Sequence, residues 1–180
     1  AGNPYKILTA SPWLVIGNED SVRMVTEGAY VGEHTPEIHL AGEGEARGIY
    51  QERLGLVEGK EYTGRVVIAD AGGSARIEVS LVWGEGEEDR QTVVMGNLTG
   101  DFVKAPFRFR AGGSTGNGRL EVVGRGEGAF RIGAVSLMPA DNVHGMRTDT
   151  LGLLRELDSP VYRWPGGNFV SGYNWRDGIG

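Results

Sequence analysis

Short runs of alternating apolar and polar residues, each closed by a glycine-bearing turn, repeat along most of this chain and restrict it to layered β structure. Over 76–83 the order Arg-Ile-Glu-Val-Ser-Leu-Val-Trp sets Ile77, Val79, Leu81 and Trp83 on one face and Arg76, Glu78 and Ser80 on the other. That period of two marks a strand with one buried and one wet face. Phe107 and Phe109 alternate with Arg108 and Arg110 in the same way, as do Leu120 and Val122 with Arg119 and Glu121. Further strands are expected over 37–40, 48–54, 62–69, 91–95 and 130–137. Turn signals separate them: Glu58-Gly59-Lys60, Ala71-Gly72-Gly73, Gly84-Glu85-Gly86, Gly112-Gly113-Ser114 and Gly124-Arg125-Gly126. The 31 glycines form no repeat. Strands and turns at this spacing suit a mainly β, two-sheet sandwich with jelly-roll connections, and residues 1–138 are assigned to it, the strands beginning at Trp13.

Composition narrows the function classes. A length of 180 residues with 39% hydrophobic content supports a core of ordinary size. A net charge of −6 without a basic stripe argues against nucleic acid as a partner, whereas sugar polymers, mostly neutral, stay open. The chain has no Cys, which excludes disulfides and thiolate metal sites and says nothing about compartment. It shows no run of 18 apolar residues and no charged start followed by an apolar stretch, so neither a membrane helix nor a signal peptide is expected. His34, His39 and His144 are the only histidines and lie in neither HxH nor HExxH spacing, so no metal site and no cofactor are expected. The acidic run 85–89 lacks the order of a calcium loop and reads as a solvated turn, with a structural Ca2+ as the alternative. Asn97-Leu98-Thr99 fits the N-glycosylation pattern.

The texture changes at Met138-Pro139-Ala140-Asp141-Asn142. From Arg147 the spacing turns helical, with Leu151, Leu154 and Leu157 on one stripe and Thr148 or Asp149 placed to cap the N-terminus. The helix must end before Pro160, because proline disfavours helical geometry in the residue before it. Residues 161–164 then read as a short buried strand. Helix, tight link and strand make half the repeating unit of a parallel barrel, so 139–180 is assigned to the start of a (β/α)8 barrel, its first helix and second strand. A full barrel takes about 250 residues, so the barrel is incomplete and the chain reads as a piece of something larger. The strand delivers Arg163 to its end and stops on Pro165-Gly166-Gly167 with Asn168 close behind. This is how a barrel hands polar groups to its ligand-binding face. The bland alternative is an arginine paired with a structural carboxylate and an asparagine holding a turn.

Arg163-Trp164-Pro165-Gly166-Gly167-Asn168 resembles the RxPGGN segment of family-51 glycoside hydrolases, the α-L-arabinofuranosidase family, and the likeness continues through Ser171-Gly172-Tyr173 and Asp177-Gly178-Ile179-Gly180. In that family the segment follows the second barrel strand, and the resemblance implies that Arg163 and Asn168 bind the sugar next to the scissile bond. Residues 136–142 resemble the family's junction between sandwich and barrel. There a sandwich-like insertion can sit between the first barrel strand and first helix, which implies that this first strand precedes Ala1. The stretch 56–62 together with 130–137 is similar to jelly-roll carbohydrate-binding modules of the family-4 and family-9 type. The implied reaction is retaining hydrolysis, which needs two carboxylates about 5 to 5.5 Å apart. Both lie on later barrel strands in the family, so no catalytic residue is expected in this chain, which alone should be inactive.

The leading expectation is thus the N-terminal part of a retaining α-L-arabinofuranosidase that releases terminal arabinofuranose from arabinoxylan or arabinan. Its partners would be the remainder of the barrel, in the same precursor or a second chain, and an arabinose-containing saccharide; no membrane is implied. The expected location is extracellular, with the cytoplasm as the alternative. Rival readings are a carbohydrate-binding module without catalysis and a family-51-like endo-β-glucanase. For glycan binding the sandwich offers Trp13, Tyr30, Tyr50, Tyr62 and Trp83, of which Trp83 alternates with the core face. Tyr173 and Trp175 read as packing for the loop, with sugar stacking as the alternative. Gly17-Asn18-Glu19 and Gly32-Glu33-His34 echo glycosidase motifs but stand ahead of or inside the sandwich, and are read as structural.

Overall fold

The computed structural model describes residues 12–163 except Asn97, together with Gly167 and Gly172, and the chain divides into two compact units, Ala1–Asp141 and Asn142–Gly180. The first unit is a sandwich. Its strands are β1 (Trp13–Ile16), β2 (Val22–Val25), β3 (Thr35–His39), β4 (Gly42–Leu56), β5 (Glu61–Gly73), β6 (Arg76–Val82), β7 (Arg90–Met95), β8 (Val103–Arg110), β9 (Thr115–Gly126) and β10 (Gly128–Pro139). They form two five-stranded sheets, ordered β1-β4-β9-β6-β7 and β2-β3-β10-β5-β8, and every pairing is antiparallel. Because successive strands usually belong to opposite sheets, the chain crosses the core repeatedly, and few neighbours in the ladders are neighbours in sequence.

The alternation seen in sequence becomes the core. Ile77, Val79 and Leu81 of β6, Leu120 and Val122 of β9, Phe107 and Phe109 of β8, and Phe130 and Ile132 of β10 are all buried in one cluster. Each such side chain contributes about 1.5–3 kcal/mol when taken from water. On the outer side of β8, Arg108 and Arg110 are exposed, as their alternation with phenylalanine predicts.

Three features depart from expectation. The strands overrun their predicted limits: β4 and β5 extend to Gly42–Leu56 and Glu61–Gly73, because register shifts let the ladders absorb irregular residues. One such residue is Arg53, left-handed at φ 62. The edge strand β2 went unseen because it is only four residues long and turns Met24 outward, 61% exposed. Ser80, expected on a wet face, is 3% exposed, covered by the long side chains that surround it on neighbouring strands.

Glycine is required where β5 meets β10. Gly128 has φ 94, and a Cβ there would fall 1.7 Å from the Gly72 carbonyl oxygen; Gly73 opposite has φ 112. Both the conformation and the close approach of backbones exclude a side chain.

In the second unit α1 spans Thr148–Leu157. Arg147 occupies the cap position and makes no side-chain cap bond, so neither Thr148 nor Asp149 is the cap. The Asp149 carboxylate instead accepts from the Thr150 N–H at 2.8 Å and from the Arg147 guanidinium. Left-handed Asp158 ends the helix, its N–H donating to the Arg155 carbonyl, ahead of Pro160. Residues 161–163 are exposed and form no strand, contrary to the short buried strand expected there. A parallel barrel strand takes its hydrogen bonds and its cover from flanking strands, and none flanks these residues among those described. No helix among the described residues is long and apolar enough to cross a membrane.

Candidate functional site

Of the two residues singled out by the motif, Arg163 is described and Asn168 is not; Trp164, Pro165, Gly166, Tyr173 and Trp175 also lie outside the described residues. Arg163 follows α1 on an exposed segment. Gly167 has φ 67, a conformation that suits glycine in a tight turn. Upstream, Tyr162 donates its hydroxyl proton to the Leu154 carbonyl at 2.6 Å, and Ser159 Oγ donates to the Val161 carbonyl at 2.9 Å. The first bond fastens the segment back onto α1 and the second tightens the turn before it, around a shallow hollow lined by Leu151, Leu154, Arg155, Asp158, Ser159 and Tyr162. Among the described residues nothing else of catalytic character gathers at Arg163.

A second site lies on the outer face of the sheet β1-β4-β9-β6-β7, and it was not foreseen. The ladders align Tyr50, Glu121, Ser80 and Thr92 in one row across β4, β9, β6 and β7. On one side runs the row Ile16, Gly48, Val123, Glu78 and Val94. On the other, Arg119 and Arg90 flank Val82. Residues of these rows, Gly48, Val82 and Val94 excepted, line with Ala46 and Arg125 an open groove of about 580 Å³, within the size range of ligand pockets.

The floor is polar and fixed. The Ser80 and Thr92 hydroxyls are 2.7 Å apart. Glu121 meets Arg90 at 3.2 Å and Arg119 at 3.6 Å, and Glu78 meets Arg76 at 3.1 Å and Arg125 at 3.7 Å. The glutamate side chains are only 13% and 17% exposed, whereas Arg90 and Arg125 rise to 39% and 45%. Carboxylates therefore lie deep and guanidiniums stand at the surface. The arrangement can hydrogen-bond hydroxyls and anions along its length; among the described residues it includes no group of three or more His, Cys, Asp or Glu suited to a metal.

The other aromatic candidates are elsewhere. Tyr62 is buried and its hydroxyl oxygen accepts from the Val57 N–H. Trp13 and Trp83 pack against the core, and Tyr30 meets Phe102 at 5.2 Å between centroids with the rings tilted by 53°. The echoes of glycosidase motifs are structural: Asn18 Oδ1 accepts from the Asp20 N–H to cap a short 3-10 turn, and Gly32-Glu33-His34 leads exposed into β3. His39 lies 3.0 Å from Glu37, without hydrogen-bond geometry at its Nε2. In the acidic loop, Asp89 accepts from the Gly86 N–H at 3.0 Å.

No protein-family model matches the chain. Parts of it are similar to curated arabinofuranosidases. It is 39% identical over 97 residues to an exo-alpha-(1->6)-L-arabinofuranosidase of Bifidobacterium longum, covering 53% of this chain and 16% of that protein. It is 46% identical over 63 residues to an intracellular exo-alpha-(1->5)-L-arabinofuranosidase of Halalkalibacterium halodurans, covering 34% and 12%. With an intracellular exo-alpha-(1->5)-L-arabinofuranosidase of Bacillus subtilis the identity is 52% over 42 residues, 23% of this chain and 8% of that one. The matched stretches thus span a small part of these relatives. The word intracellular in two of the names lends no support to the extracellular expectation.

The sandwich has the fold of carbohydrate-binding modules. The structure of TmCBM61 in complex with beta-1,4-galactotriose superposes with a TM-score of 0.53 at 20% identity, over 72% of this chain and 89% of that one. A xylan-binding domain of CBM 22 gives 0.56 at 16% identity, over 75% and 91%. A cyclase from Fischerella sp. TAU gives 0.51 at 16%, over 72% and 86%, so the fold also serves a different chemistry.

Proposed function

We propose that this chain is the N-terminal portion of a retaining α-L-arabinofuranosidase of the family-51 type, exo-acting on arabinofuranose-containing side chains such as those of arabinan or arabinoxylan. The observation that carries it is the partial identity to curated exo-arabinofuranosidases. Arg163 and Asn168 bind and orient the sugar beside the scissile bond, while the nucleophile and the general acid/base come from the rest of the barrel. Residues 139–180 are the beginning of that barrel. The exposed leucines of α1 support this assignment, since a barrel helix has an apolar stripe that its sheet must cover. The relatives' names favour an intracellular location and exo action over an endo-β-glucanase.

The test is arabinose release from an aryl α-L-arabinofuranoside by the polypeptide that carries these residues with the rest of the barrel. Activity is expected there and not in the 180-residue chain alone. Arg163→Ala should lower kcat/KM about 100-fold, the scale of losing charged hydrogen bonds in a site. A variant as active as the wild type would remove Arg163 from the site.

A second reading is favoured by the groove: the sandwich holds a glycan on the outer face of its first sheet. The polar rows there, and a fold shared with carbohydrate-binding modules, support it. The two readings are compatible, because the groove and Arg163 belong to different units.

A further inference from the structure

We propose that the groove on the outer face of the first sheet takes an anionic glycan, one whose sugars carry carboxylates, with Arg119, Arg90 and Arg125 as the groups that receive them. This rests on the second reading above and names the ligand class.

The charge count is the first argument. Four guanidiniums, from Arg76, Arg90, Arg119 and Arg125, share the two deep carboxylates of Glu78 and Glu121. Of the four, Arg90, Arg119 and Arg125 line the groove; at its edge Glu85 reaches Arg119 only at 3.9 Å from a side chain 89% exposed, and Glu85 and Glu87 border a neighbouring hollow with Arg90. The lining itself, three arginines against Glu78 and Glu121, therefore carries one excess positive charge on a chain whose net charge is −6. Such a reversal of sign, concentrated in one concave surface, attracts anions to that surface in preference to the rest of the protein.

Donor geometry is the second. Arg119 lies 3.6 Å from Glu121, and Arg125 lies 3.7 Å from Glu78, beyond the 2.7–3.2 Å or so of a protein hydrogen bond. Arg125 also donates to the Gly44 carbonyl at 3.0 Å, and these partners position the guanidiniums without saturating five N–H donors each. A ligand carboxylate arriving from solvent meets a planar fork suited to bidentate binding.

The third argument is what the groove lacks. Neutral sugars are gripped largely by aromatic faces, and of Trp13, Tyr30, Tyr50, Tyr62 and Trp83 only Tyr50 lines the groove. In place of a stacking platform the floor offers the hydroxyls of Tyr50 and Thr92 in one row, beside the arginines, with buried Ser80 between them holding Thr92 at 2.7 Å. Hydroxyl partners in a row with cations alongside match a chain of uronic acid residues, whose hydroxyls and carboxylates alternate along its length. A groove of about 580 Å³ spanning five strands holds an oligomer rather than a single small anion.

The experiment is calorimetric titration of the 180-residue chain with oligogalacturonate, its methyl ester of equal length, glucuronoxylan oligomers and neutral arabinan. Oligogalacturonate or the glucuronoxylan should bind at least tenfold tighter than the ester and the arabinan, and whichever acid binds tighter identifies the sugar that carries the carboxylate. Arg119→Gln should abolish most of that preference, and Arg90→Gln, at an exposed position, should reduce it at least threefold if the first variant melts early. Arg65→Gln, exposed on the other sheet, should leave it unchanged. Equal binding of acid and ester would overturn the anionic ligand while leaving glycan binding by the groove intact. Binding to none of the four saccharides would overturn both. Acid binding equally weakened by Arg65→Gln, or indifferent to Arg119→Gln and Arg90→Gln, would mark adsorption of a polyanion outside the groove and overturn the proposal.

Discussion

The sandwich and the helical unit contain the same kinds of apolar residue and treat them in opposite ways. In the sandwich Phe109 is 1% exposed and Phe130 is fully buried. In α1 no residue is buried, and Leu153 and Leu157 are 67% and 68% exposed. The difference follows from where each element finds its cover. A sheet in this sandwich receives a second sheet from the same unit, so both its ladders and its apolar face are satisfied within 13–139. A ten-residue helix is shorter than the roughly 12–15 residues at which isolated helices become marginal, and its stability must come from something packed on its stripe. One unit covers its apolar faces from within, and the other leaves the leucines of its helix exposed.

The comparison is broken most sharply at Phe130. Phe130→Ala should destabilise the chain by about 3–5 kcal/mol, as aromatic truncations in cores do, seen as a large drop in the denaturant midpoint with the slope unchanged. A cost under about 1 kcal/mol would mean that the cluster around Phe130 is not the core. Next comes Gly128→Ala. Forcing a side chain at φ 94 against the Gly72 carbonyl should cost about 3 kcal/mol, whereas Gly152→Ala in α1, where nothing stands within 4 Å, should stabilise by up to about 1 kcal/mol. Opposite signs for the same substitution would separate the two units cleanly in a thermal or denaturant melt.

The sandwich was readable because its signals are local. Phe107 and Phe109 alternate with arginines within one strand, and no knowledge of neighbours is needed to see which face is buried. The groove was not readable, because Tyr50, Glu121, Ser80 and Thr92 come from strands far apart in sequence and meet only through ladder register. Their one local sign was polar residues at outward positions, which a solvated face shares. Ser80 shows how that sign misleads: its position is outward, yet neighbouring side chains cover it. Arg163 and Asn168 were singled out by a strand end closed on Pro-Gly-Gly and by a motif whose meaning comes from other proteins. The strand expected over 161–164 depended on neighbours that the local pattern does not contain.

Smaller effects sharpen the contrast from the helical side. Leu157→Ala should change the stability of the 180-residue chain by no more than about 0.5 kcal/mol, as surface substitutions do. In a polypeptide that carries the rest of the barrel it should cost about 2–5 kcal/mol, the range for a buried leucine. Equal small costs in both would show that the leucine stripe of α1 is not a packing surface, and the barrel assignment would lose its structural support.

The smallest effect concerns the start of that helix. The Arg147 guanidinium and the Thr150 N–H hold the Asp149 carboxyl at about 2, below its ordinary 3.8. A depressed pKa in the folded state means that the ionised carboxylate favours the helix. The contribution is fully present above the ordinary value and is lost as pH falls from there through about 2. Asp149→Asn removes the charge at every pH. Helical signal from α1, followed by backbone chemical shifts, should therefore be lower in the variant than in the wild type at pH 5–7, and the two should converge as the pH approaches 2. Resonances of β8 and β10 should not report this titration, since the carboxylate's partners are within its own unit. A gap between wild type and variant that stays constant down to pH 2 would show that Asp149 acts through packing rather than charge.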